Sequence, residues 1–198
     1  MIEQIFSAIA MVLTFVAFLP YIRSIRRGET RPHVFSWIIW GLTTTIACLA
    51  QLADGAGTGA WSVGVSGIIT FYIAGLAYAQ RSDTHITKSD WVFLLAALGS
   101  LPCWFLTADP LWAVVILTIV DVLGFGPTLR RAVSHPHEEH LTFFTLYAIR
   151  NLLVIFALEN FSVTTVLFPA VVGIACLALV VLVALRRRVV QVGSNKTS

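Results

Sequence analysis

Charge is what this sequence has least of. Only 12% of its 198 residues are Asp, Glu, Lys or Arg, about half the roughly 25% of a soluble domain. That leaves too little solvating surface for an ordinary water-soluble fold. Cysteine is sparse too. Cys48, Cys103 and Cys176 fall in different apolar runs without paired spacing. This excludes a disulfide framework, and the three read as small buried hydrophobes. Catalytic signatures are also missing. No paired carboxylates, nucleophile elbow, glycine-rich phosphate loop or metalloprotease motif occurs. The chain is therefore not expected to be an enzyme, and no cofactor is implied.

What is present is hydrocarbon. Apolar residues make up 58% of the chain and mean hydropathy is +0.86. Seven apolar runs span 5–22, 34–52, 60–80, 91–106, 111–129, 141–158 and 163–185. A helix of about 20 apolar residues, or about 17 at the short end, crosses a bilayer. Seven transmembrane helices of an all-α membrane protein are therefore expected. The fourth run is the shortest and contains Pro102. The separators "RRGETRP", "ADGAGTG", "RSDTHITKSD", "TADP", "SHPHEE" and "ENFS" are turn-forming. The first run carries Glu3 in place of a basic flank, so it reads as a retained helix rather than a cleaved leader.

The basic residues set an orientation. With the N-terminus outside, Arg23, Arg26, Arg27 and Arg31 fall in the first inner loop, and Arg81 and Lys88 in the second. Arg130 and Arg131 fall in the third, and Arg186, Arg187, Arg188 and Lys196 in the tail. Of the thirteen Lys and Arg only Arg150 is left, and it lies within a run. The positive-inside rule then gives N-out and C-in. A plasma (cell inner) membrane is the default location. The basic pI needs no nucleic acid to explain it, since topology and anionic lipid headgroups account for it.

The chain also repeats itself. "LPYIRSIRRGETRPH" begins at residue 19 and "GPTLRRAVSHPHEEH" at 126. An offset of 107 carries Pro20 onto Pro127, Arg23 onto Arg130 and His33 onto His140. It continues through Trp37 onto Phe144, Trp40 onto Tyr147, Thr43 onto Arg150 and Thr44 onto Asn151. At an offset of 106, Gly67 falls on Gly173. Residues 1–82 and 109–198 are thus expected to be two three-helix bundles, with 83–108 a linker helix that restores the orientation of the second copy.

This 3+1+3 plan, with a proline near the end of helix 1 and a basic turn after it, resembles the SWEET sugar transporters and the wider PQ-loop superfamily. The resemblance implies a solute transporter working by alternating access between the bundles. The likeness is architectural more than motif by motif. Tyr21 and Thr128 stand where the superfamily has glutamine after the proline. No proline occurs in 34–52 or 141–158. Gly67 and Gly173 stand where SWEETs carry sugar-contacting asparagines.

Candidate site residues follow from cost. An ionisable group at mid-membrane costs about 2.5–3.5 kcal/mol on insertion scales, which makes it a functional candidate. Asp121 and Arg150 are the two. Counted from the inner helix ends they lie roughly 12 and 13.5 Å deep, so they are level and could pair. They could lock the second bundle, or they could bind substrate or couple a proton. Trp37, Trp40 and Thr44 share one helix face, and Phe144, Tyr147 and Asn151 match them. The deeper four, Trp40, Thr44, Tyr147 and Asn151, suit a cavity that stacks on a small polar solute and hydrogen-bonds it. Tyr72 and Ser66 on helix 3 are further candidates for its wall. Small residues on helices 3 and 7 allow each to sit between the other two helices of its bundle, in the order 1-3-2. Pro20 and Pro127 are candidate hinges. The run "HPHEEH", with His135, His137, Glu138, Glu139 and His140, has ligand chemistry but no facing cluster. It reads as a helix start, and no metal is expected.

The alternative to transport is a membrane scaffold or sensor that binds a partner through its basic cytoplasmic loops. A homodimer fits either reading, with membrane lipids as further partners.

Overall fold

The computed structural model describes residues 1–30, 32–80, 86, 88–134, 136 and 141–194. Among these residues there are seven helices. They are α1 (Ile2–Arg26), α2 (Val34–Ala53), α3 (Gly59–Ala79), α4 (Lys88–Thr107), α5 (Pro110–Ser134), α6 (Leu141–Phe156) and α7 (Val163–Ser194). Each contains one of the seven apolar runs or most of it. Helices α1, α2 and α3, and the 163–188 part of α7, are long and apolar enough to cross a membrane. The apolar parts of α4, α5 and α6 are shorter, at 10–17 residues. The fold is helical and of the kind a bilayer can embed, because every backbone polar group within a helix is satisfied by that helix.

The helix ends follow local chemistry. Gly28 (φ 74°) ends α1, with its N–H on the Ile25 carbonyl and the Glu29 N–H on that of Ser24. Gly55 (φ 76°) ends α2 the same way, with bonds to Leu52 and, from Ala56, to Gln51. Both are Schellman turns, which need a residue in the left-handed region, and glycine meets that need without a Cβ penalty. Helix α5 opens on "DP": Asp109 Oδ1 accepts the Leu111 N–H at 2.9 Å and Pro110 takes the first helical position.

The packing has a pattern. Helix α3 touches both α1 and α2, and α7 touches both α5 and α6. Among the described residues the backbones of α1 and α2, and of α5 and α6, are not packed together, and these pairs meet only through long aromatic side chains. Helix α1 instead lies on α6, and α2 on α5. Helix α4 packs on α5 and, less closely, on α2. Helix α4 apart, exchanging α1 for α5, α2 for α6 and α3 for α7 leaves this arrangement unchanged. Close backbone approach supports the α2–α3 contact. A Cβ on Gly67 would lie 2.7 Å from Thr45 Oγ1, and one on Gly64 3.0 Å from Cys48 Sγ.

Candidate functional site

The two crossings, α1 with α6 and α2 with α5, enclose the candidate site. Helices α1 and α6 run antiparallel along their length. Phe6 meets Phe156 (ring centroids 5.5 Å apart), Thr14 meets Arg150, Phe18 meets Tyr147 (5.7 Å) and Tyr21 meets Phe143 (5.4 Å). Helices α2 and α5 cross in the same sense, with Thr43 on Asp121 and Trp40 beside Phe125 (6.3 Å). The 107-residue offset carries Thr14 onto Asp121 and Thr43 onto Arg150. The bonds Thr14–Arg150 and Thr43–Asp121 therefore occupy corresponding places. At each crossing a threonine faces a charged residue, and the charges are opposite.

Arg150 is 1% exposed. Its Nε donates to Thr14 Oγ1 at 3.1 Å and its Nη1 to Asn151 Oδ1 at 3.2 Å. Its Nη2 donates to the Ser62 carbonyl of α3. The guanidinium carbon sits 5.2 Å from the Tyr147 ring centroid, within cation–π range. Asn151 Nδ2 donates to the Tyr147 carbonyl at 2.8 Å, and the Tyr147 hydroxyl and Ser66 Oγ share a bond at 2.8 Å. The network therefore joins α1, α3 and α6.

Asp121 is 6% exposed, and its one hydrogen bond among the described residues is to its Oδ1 from Thr43 Oγ1 at 2.8 Å. Its Oδ2 has no hydrogen-bonding partner there. The expected Asp121–Arg150 pair does not form: no ion pair joins the two side chains. The physical reason is helix adjacency. Equal depth places both at one height, but the backbones of α5 and α6 are not packed together, and each charged side chain turns to the helix its own element packs against.

Side chains link the helices at both ends of the crossings. At the end predicted to face inward, aromatic rings from four helices interlock. Tyr21 stacks on Trp37 at 5.2 Å, and Trp37 meets Trp40 edge-on at 5.5 Å. Phe143 stacks on Tyr147 at 5.5 Å, and Phe125 lies 6.5 Å from Phe144. At the opposite end the α2–α3 and α6–α7 turns are laced together. Ser162 Oγ donates to the Asp54 carboxylate and Asn160 Nδ2 to the Asp54 carbonyl (2.7 Å). The Thr58 N–H donates to Glu159 Oε1 (3.1 Å) and the Glu159 N–H to the Ala56 carbonyl (3.1 Å). Just beneath, buried Gln51 donates to the Thr165 carbonyl at 2.8 Å, and its Oε1 has no partner among the described residues.

The expected residues fare differently. Trp40, Asp121, Tyr147, Arg150 and Asn151 line or adjoin the seam between the crossings, while no contact places Thr44 there. Thr44, Asp121, Arg150 and Asn151 are buried, while Trp40 and Tyr147 are half-buried. Tyr72 is the correction. It is 49% exposed on the outer face of α3. Ser66, six residues earlier, faces inward, and about 100° per residue over six residues turns Tyr72 away from it. Gly67 meets Thr45 of α2 rather than the seam, and Gly173 meets Asn151. Pro20 and Pro127 lie within α1 and α5, not at their ends. His135, His137, Glu138, Glu139 and His140 lie outside the described residues, as do Arg31 and Arg81. Among the described residues no cluster of three or more His, Cys, Asp or Glu could hold a metal.

Sequence reasoning missed Ser62 and Gln51, and the two laced turns. Thr14 is marked in the sequence only by the 107-residue offset, which sets it against Asp121. A serine carbonyl carries no sequence signal. Gln51 did carry one, as an amide inside an apolar run.

The chain matches no protein-family model, no curated protein and no solved structure.

Proposed function

We propose that this protein is a SWEET-like transporter that passes a small polar solute across a membrane by alternating access. Its seven helices all span, as two parallel triple-helix bundles, α1–α3 and α5–α7, joined by α4. The N-terminus lies outside and the C-terminus in the cytoplasm. The observation that carries the reading is the equivalence of the two crossings, each joining a helix of one bundle to a helix of the other. Two bundles that touch along such a pair of seams can rock, and the polar side chains between them then face each side in turn. The aromatic cluster and the laced turns supply one closure at each end. The shorter helices fit because α5 and α6 are flanked by longer neighbours. The basic residues on one side support the orientation. Pro20 and Pro127 break one backbone bond each, near the aromatic closure, and act as hinges when it opens.

The test is solute counterflow in proteoliposomes preloaded with mixed sugars, amino acids and polyols. Wild-type protein is expected to accelerate uptake of at least one labelled solute. Trp40→Ala and Asn151→Ala are expected to abolish it while the protein still elutes as a folded species. A chain without flux for any solute, but with a partner lost on Arg26→Ala/Arg27→Ala substitution, would instead be a scaffold.

A further inference from the structure

We infer that the solute is a small zwitterion, one ammonium and one carboxylate on a short carbon frame. The inference rests on the transport reading and names the substrate class of the same site.

The argument starts from two buried charges that do not neutralise each other. Arg150 and Asp121 are each more than nine-tenths buried, and no ion pair joins them to each other or to any other described side chain. A buried charge is ordinarily paired, because the desolvation it has paid is recovered only from an opposite charge or a full set of hydrogen bonds. Arg150 is partly served by Thr14, Asn151 and the Ser62 carbonyl, and a guanidinium has more N–H groups than these three acceptors use. Asp121 is served by Thr43 alone, and Oδ2 is open. The two threonine bonds hold the charges in corresponding places, one at each crossing, both charges coming from the second bundle and both threonines from the first. An anion would answer Arg150 and leave Asp121 uncompensated, and a cation would do the reverse. A sugar or polyol would answer neither charge. A zwitterion answers both at once, its carboxylate at the Arg150 fork and its ammonium at Asp121 Oδ2. It would also tie α5 to α6 within the second bundle, at the level of the two threonines that the first bundle contributes.

The experiment compares glycine, L-alanine and L-serine with acetate, methylammonium and D-glucose, each against purified wild-type protein. The readouts are thermal stabilisation and proteoliposome counterflow. The zwitterions are expected to raise the melting temperature and to counterflow. Acetate and methylammonium should bind on the order of ten- to a hundredfold more weakly, each leaving one buried group unpaired. Asp121→Asn should lose glycine yet keep acetate. Glucose that binds and counterflows while the amino acids are inert would overturn the zwitterion and leave the transport reading intact. Acetate or methylammonium binding as well as glycine would also overturn it. No binding and no counterflow with any solute would sink both. The wild-type comparison decides even if the variant does not fold.

Discussion

The two crossings share a register and differ in chemistry, and the difference lies in how firmly each charge is held. At α1–α6 the charge is tied down: Arg150 reaches three partners on three helices and lies against an aromatic ring. At α2–α5 the charge has a single threonine. The same position is a multiply bonded staple at one crossing and a single hydrogen bond at the other. A symmetric frame thus carries an asymmetric function.

Breaking the staple should have the largest effect. Arg150→Met strands the Ser62 carbonyl and Asn151 Oδ1, and hydrogen bonds to a charged group are worth about 1.5–3 kcal/mol each. A loss of about 3 kcal/mol is expected, read as a fall on the order of 10 °C in the thermal midpoint of purified protein. Asp121→Asn should move the midpoint the other way, by about 1 kcal/mol or less, because an uncompensated charge is removed and an acceptor for Thr43 is kept. A fall as large as that of the Arg150 variant would show that the two crossings are not different in kind. Tyr147→Phe keeps the ring over Arg150 and removes the bond to Ser66, for a loss of about 1 kcal/mol in the same measurement. Tyr72→Ala, on the outer face, should change the midpoint by less than about 0.5 kcal/mol and leave counterflow intact. Together the four changes rank the seam above the surface and the α1–α6 crossing above its counterpart.

Much of this frame can be read from residue order. Long apolar runs fix the helices, because hydrogen bonding within a helix is what hydrocarbon demands. The 107-residue offset aligns Thr14 with Asp121 and Thr43 with Arg150 before any coordinates are known. What it does not supply is azimuth. Depth along a helix follows from counting, so Asp121 and Arg150 are level. Which neighbour each faces depends on which helices are adjacent, and that is set by packing among many apolar side chains. Tyr72 is a different case, because its turn of roughly 120° away from Ser66 follows from helical rotation alone. The laced turns were hidden for a third reason. Asp54 and Ser162 are 108 positions apart, and no local signal links one polar turn to another at that distance.

Those turns have a practical consequence. A Cβ on Gly59 would lie 2.9 Å from the Ala157 backbone, and Gly57 sits against the Glu159 carboxylate. There is no room between these hairpins for an inserted epitope, reporter or glycan. Any such addition would prise them apart and show a conformation the native chain does not hold. Sidedness is better mapped at the corner around Ala108, which is exposed and joins two helices already neighbours. A label there can report which way the molecule lies without deciding which way it is open.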